Sequence, residues 1–394
     1  MATKEERGPV IWMLYYRKST LVLCQKVADA LLALKPDLDI RPYWMDYEAM
    51  RNDVPDFREG DVAITANWTF AARREVEEAN LPVYHIHHGV GSNKNHTYHV
   101  KPKQVVSEFV ASWYAVQQAE ARGIDTSRQV PLGYVQMDSV RQGKATGKTI
   151  LLAPTWNQRF CSHLRWVREF IENHAGYYRS RGYKIVVAMH PHTDKGSLTE
   201  TFDVVNKYDN VECTSGEDDV TDHFDEAAVL IGDTGSALFM FLATGRPVIA
   251  YNSWEWWKDR HGAGLKGLPT TTAFDTEDDS YRWRDVFLQF TATEEARIVV
   301  DAALEWAEKP SVDPMRSKRL SRCDLLFGSN QGRVAEAIAQ YIIKDVEKRF
   351  LTNKAKLVNM MDGRGGLPVK DWKIGKDGEL PDQDKSRIAG RVGK

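Results

Sequence analysis

One stretch constrains the fold more than any other: Ala228 to Tyr251 reads AVLIGDTGSALFMFLATGRPVIAY. An apolar strand, Val229 to Ile231, ends at Gly232-Asp233, and Thr234-Gly235-Ser236 opens an amphipathic helix. After Gly245 and Pro247 a second buried-type strand follows, Val248 to Tyr251. Strand, helix and strand in so few residues form a crossover unit, which belongs in a parallel sheet covered by helices. Its small, hydroxyl-rich turn is also an anion slot, because unpaired backbone N–H groups and the helix dipole point at whatever sits there. A phosphate fits that slot; an ordinary turn with a capping Ser is the alternative.

Three further apolar strands end in the same way. Tyr84 to Asn95 reads YHIHHGVGSNKN, Ile150 to Asn157 reads ILLAPTWN, and Lys184 to Thr193 reads KIVVAMHPHT. Ligands of open α/β sheets bind outside the carboxyl ends of the strands, so these polar tips mark the expected site.

The alternation runs along most of the chain. Strands are expected at Val10–Tyr16, Leu38–Met45, Asp61–Ala66, Pro82–His87 and Gln129–Tyr134, with helices at Thr20–Leu34, Phe70–Asn80 and Val105–Ala121. The connector Arg141 to Lys148, RQGKATGK, is polar, glycine-bearing and without periodicity. Strands then recur at Thr149–Ala153, Lys184–Met189 and Val211–Cys213, with helices at His163–Ser180 and Leu198–Tyr208. The fold class is therefore α/β, two Rossmann-like domains with parallel sheets facing a cleft, the GT-B type. The expected divisions are one Rossmann-like domain over 1–142 and a second over 149–332. A helix over 333–350 and a polar, extended or disordered tail over 351–394 follow.

Composition enters by exclusion. A net charge of −2 over 394 residues advertises no global field for nucleic acid or an anionic membrane. Cys24, Cys161, Cys213 and Cys323 lie far apart without metal-ligand spacing, and read as reduced thiols of a cytoplasmic protein. The opening MATKEERG is polar, and the apolar run Val10–Tyr16 is too short to span a bilayer. No Asp-x-Asp or His/Asp ligand spacing stands out, so no metal and no cofactor are expected.

Six motifs in order, HHG, GYVQMD (Gly133–Asp138), APTW (Ala153–Trp156), HPHT, GDTGSALFMF and GRPVIAY, resemble the CDP-glycerol glycerophosphotransferases of teichoic-acid and capsule synthesis. The resemblance covers roughly Val83 to Val334. Departures are plain: Val135-Gln136-Met137 replace the family's Pro-Arg-Asn, and Asn157 stands where the Pro-Thr-Trp turn would carry Arg, with Arg159 two residues on. Asp233-Thr234-Gly235-Ser236 replaces Asp-Tyr-Ser-Ser, and Met240 occupies the position of an acidic residue.

The resemblance implies a transferase that takes glycerophosphate or a glycosyl group from a CDP- or UDP-linked donor to an acceptor hydroxyl. His88 is then the general base, since a neutral imidazole accepts protons near pH 7, and Gly89 and Gly91 let the backbone approach ligand. His87 points the other way if the strand persists. His190 serves the donor phosphates, with Thr155, Arg159, Thr193, Asp233, Thr234, Gly235 and Ser236 around the diphosphate. Twelve tryptophans, among them Trp254, Trp256, Trp257 and Trp283, pack cores or stack rings of an acceptor, a modified DNA base included. Lys344 to Lys356 is a basic amphipathic segment with the option of peripheral membrane contact. An epimerase acting on UDP-N-acetylglucosamine and a non-catalytic nucleotide-binding scaffold stay open beside the transferase.

Overall fold

The computed structural model describes residues 9–15, 18–45, 55–87, 101–121, 123–155, 164–214, 216, 218–233, 235–251, 283–290 and 295–361. Residues 1–338 form one compact unit and residues 339–394 another. The first unit contains two six-stranded sheets, and every strand pair in both is parallel. This is the α/β, GT-B-type architecture expected from the alternation.

The first sheet has the order β2-β1-β3-β4-β5-β6. Its strands are β1 (Val10–Tyr15), β2 (Asp39–Trp44), β3 (Val62–Thr65), β4 (Val83–Ile86), β5 (Val105–Val110) and β6 (Gln129–Pro131). The central strands carry buried side chains on both faces, as a sheet covered by helices requires. Helix α1 (Lys18–Leu34) buries Leu23, Val27, Ala28 and Leu31, which recur at helical spacing on one face. Buried Asp61 anchors the start of β1: it accepts from Val10 N–H at 2.9 Å, Trp12 Nε1–H at 3.0 Å and Arg58 N–H at 3.1 Å.

The second sheet has the order β12-β11-β10-β7-β8-β9. It comprises β7 (Thr149–Ala153), β8 (Lys184–Val187), β9 (Val211–Cys213), β10 (Ala227–Gly232), β11 (Val248–Tyr251) and β12 (Leu288–Phe290). Chain order reverses between β7 and β10, so the crevice where such sheets bind ligand opens at Ala153 and Gly232. One apolar core on this sheet is filled by α4 (Leu164–Ser180), which contributes Trp166, Phe170, Ile171 and Tyr178. The helix Ala296–Glu308 adds Val300, Ala303 and Leu304 to the same core.

Several elements differ from the sequence reading. Val105–Ala121, read as one helix, is strand β5 followed by α3 (Trp113–Glu120). Ser107 and Glu108 interrupt the apolar run, but both are buried with partners, so the segment is a core strand despite its polarity. Phe70–Asn80 is split into a 3-10 turn, Trp68–Ala72, and α2 (Arg74–Glu78). The helix after the Gly232-Asp233 turn, read as amphipathic, is the short α6 (Ser236–Phe241), and Leu238 to Phe241 are all buried. The helix expected to end near Phe350 continues over Val334–Met361. Residues 362–394, the rest of the expected tail, lie outside the described residues.

Candidate functional site

The second sheet gathers most of the expected donor residues at one edge. Strands β7 and β8 pair with Leu152 opposite Val187, and β7 and β10 with Ala153 opposite Gly232. Thr155, His190 and Asp233 therefore follow three neighbouring strands at their carboxyl ends. Gly232 lets the two central strands come this close: a Cβ there would meet Ala153 O at 2.9 Å. Gly235 brings its turn against Thr155, where a Cβ would lie 3.1 Å from Oγ1.

Asp233 joins two of these loops. Its side chain is fully buried, and its two carboxylate oxygens lie 3.0 and 3.2 Å from Thr155 N–H. The carboxylate thus ties the loop after β7 to the loop after β10 across 78 residues. It does not cap α6, whose N-cap is Gly235. An anion held at this edge would be aligned by loops that Asp233 fixes.

His190 is held in a defined tautomer. Its Nδ1 accepts from His192 N–H at 3.1 Å, so in the neutral ring the proton sits on Nε2, which donates. Its carbonyl accepts from Thr193 N–H at 2.9 Å. Behind it, Gly216 has φ +82°, and a Cβ would press on the His190 carbonyl oxygen at 3.1 Å. Thr214 Oγ1 accepts from Met189 N–H at 3.1 Å. Backbone on both sides therefore fixes the strand end that carries His190. After Thr193, Asp194 accepts from Ser197 N–H and caps α5 (Lys195–Val205). Thr193 Oγ1 is buried with no hydrogen-bond partner among the described residues.

His88, Gly89, Gly91, Arg159 and Thr234 lie outside the described residues, as do Trp254, Trp256 and Trp257. Met240, at the position of the family's acidic residue, is buried among Leu238, Phe239 and Phe241.

The GYVQMD motif proves to be a joint. Gly133 has φ +120°, and a Cβ there would collide with Val334 Cγ2 at 2.5 Å. Asp138 accepts from Val334 N–H at 2.7 Å and Ala335 N–H at 2.8 Å, which caps the helix Val334–Met361. Burial still pushes its carboxyl above the usual range, against those two hydrogen bonds.

Sequence reasoning missed a cluster on the first sheet. His85 and His87 leave β4 on one face and meet Glu108 of β5. His87 Nε2 lies 2.9 Å and His85 Nδ1 3.3 Å from Glu108 Oε1. Lys101 Nζ approaches the same oxygen at 3.2 Å, and Gln129 Nε2–H donates to Oε2 at 3.0 Å. Burial lowers the His85 pKa to about 4; burial pushes Glu108 up, but the adjoining imidazoles of His85 and His87 outweigh it and hold the carboxyl well below the carboxylate range. The visible signal was His85-x-His87 on a strand, which places both rings on one side.

Residues 133–264 match the family model described as CDP-glycerol:poly(glycerophosphate) glycerophosphotransferase. The match spans about a third of the chain. The matched segment contains Thr155, His190, Thr193 and the turn Asp233 to Ser236. A nucleotide-linked donor fits that family. The chain is also similar in fold to the wall teichoic acid polymerase TagF, at 14% identity and a TM-score of 0.54, covering 87% of this chain and 90% of that one. A TagF variant structure soaked with CDPG gives a TM-score of 0.53 at 14% identity, over 89% and 92% of the two chains. The UDP-GlcNAc 2-epimerase of Methanocaldococcus jannaschii, in complex with UDP-GlcNAc and UDP, gives 0.51 at 12% identity, over 85% and 99%. A comparison with curated protein sequences gives no match. Among the described residues no helix is long and apolar enough to cross a membrane.

Proposed function

We propose that the chain transfers a glycerophosphate group from a CDP-glycerol-type donor to an acceptor hydroxyl. The observation that carries this reading is the family match over the segment that holds the β7, β8 and β10 loop edge. The donor diphosphate lies against the turn Gly235-Ser236 and the Thr155 loop. His190 Nε2–H donates to a phosphate oxygen, a role its Nδ1 contact with His192 N–H favours. His88 accepts the acceptor's proton as its oxygen attacks the glycerol-bearing phosphorus, and the bond to CMP breaks in line. Residues 1–142 then form the acceptor side and residues 149–332 the donor side. No tight metal is needed for these roles, because N–H donors and His190 meet the developing charge. The acceptor is a hydroxyl-bearing polymer; the site reading does not depend on membrane contact or on a nucleic-acid acceptor.

A thermal-shift comparison of CDP-glycerol, CMP, CDP, UDP and UDP-N-acetylglucosamine, on wild type and His190→Ala, tests the proposal. A ligand that binds only the native state raises the Tm by mass action. Stabilisation by cytidine ligands, lost in His190→Ala, is the expected result. Selective stabilisation by uridine ligands overturns it in favour of a sugar transferase or an epimerase, and no shift with any nucleotide points to a scaffold.

A further inference from the structure

We propose that His85, His87 and Glu108 form a binding site for a divalent transition metal of zinc type, with Lys101 as the built-in cation that such a metal displaces. The three ligand atoms lie within 4.8 Å of one another. Edges of a tetrahedron around zinc measure about 3.3 Å, given metal–ligand bonds of about 2.0–2.1 Å. The separations from Glu108 Oε1, 3.3 Å to His85 and 2.9 Å to His87, are of that size. Two imidazoles and one carboxylate also make a donor set zinc accepts, leaving a fourth position.

A second, independent observation is His85 itself. It is 2% exposed; its Nδ1 has only the 3.3 Å approach to Glu108 Oε1, outside good hydrogen-bond geometry, and its Nε2 has no partner among the described residues. A buried imidazole so poorly satisfied is costly unless something takes its lone pair. A metal between the two rings would take it.

Lys101 sets the terms of entry. Its ammonium stands 3.2 Å from the carboxylate oxygen that would ligate, so it neutralises Glu108 when metal is absent and repels a metal that arrives. The exit is at hand. A cavity of about 40 Å³ is lined by Lys101, Glu108, Asp125, Arg128 and Gln129. That volume holds a water-sized group. Asp125 offers a carboxylate on the cavity wall to which the displaced ammonium can turn. Binding is thus an exchange of one cation for another, and removing the lysine charge should tighten it.

The test uses the full chain, dialysed against chelator and titrated with Co²⁺ as the visible probe, with Zn²⁺ added to displace it. The expected result is one Co²⁺ per chain, with visible absorption of a low-coordinate site that Zn²⁺ abolishes. His87→Ala should weaken binding at least tenfold, and Lys101→Met should tighten it at least tenfold. Circular dichroism of each variant confirms that it is folded; His87 lies at the rim of the cluster, so its truncation disturbs the core least. No Co²⁺ absorption in folded wild type overturns the proposal, even if Lys101→Met binds, because the cluster is then a closed ion pair. Binding unchanged by His87→Ala, or not tightened by Lys101→Met, also overturns it.

Discussion

Replacing Asp233 separates a structural tie from a ligand contact. The carboxylate is fully buried, and both oxygens face Thr155 N–H at 3.0 and 3.2 Å. A hydrogen bond to a charged group contributes about 1.5–3 kcal/mol, and a donor left without its partner adds to the loss. The Thr155 loop is only partly buried, so water recovers some of that, and about 2 kcal/mol is expected for Asp233→Ala. The loop has little freedom to find another partner, because Gly232 already sits against Ala153 O. Asp233→Asn keeps one acceptor oxygen and the shape, and should lose about half as much. Unfolding entropy near 2.1 cal/mol/K per residue, applied to the unit 1–338, converts 2 kcal/mol into a fall in Tm of about 3 °C. The assay is thermal unfolding without ligand, followed by urea titration to confirm the order wild type, Asn, Ala. A melting temperature for Asp233→Ala equal to that of wild type refutes the tie.

Gly133→Ala should be among the most destabilising glycine substitutions. It forces an L-residue to φ +120° and drives a Cβ into Val334, for an expected loss of about 2–4 kcal/mol by urea unfolding. A near-neutral effect would show that Val334 is free to give way. Stability should also fall with pH between 7 and 5, measured in chelator. His85 has its pKa lowered to about 4 in the folded state, so over this window the unfolded chain binds a proton that the folded chain refuses. The loss works out to about 2 kcal/mol. A His85→Gln variant should lack that part of the slope, and an unchanged slope contradicts the assignment. Burial raises the thiols of Cys24, Cys213 and Cys323 to about 12, so iodoacetamide at pH 8 should label them only on unfolding. Rapid native labelling of Cys24, followed by mass spectrometry, would contradict its buried position.

Local pattern settled much of this protein. Apolar runs such as Thr149–Ala153 and Val248–Tyr251 are strands within any window that contains them, and their alternation with helices leaves little choice but parallel sheets. The residues just past β7, β8 and β10, namely Thr155, His190 and Asp233, had to gather at a carboxyl edge once the sheet was parallel. What a window cannot hold is the partner from elsewhere. Val105–Val110 reads as something other than a core strand until Glu108 is placed between His87, Lys101 and Gln129, because a buried carboxylate is tolerable only when paired. Asp233 resembles a helix cap until register brings Thr155 beneath it. Asp138 resembles part of a binding motif until the helix beginning at Val334 arrives, 196 residues away, to be capped. Periodicity determined most of the strands and helices, Val105–Val110 being the exception; register and long-range packing decided which polar groups those elements could bury, since each needs a partner that only the folded chain supplies.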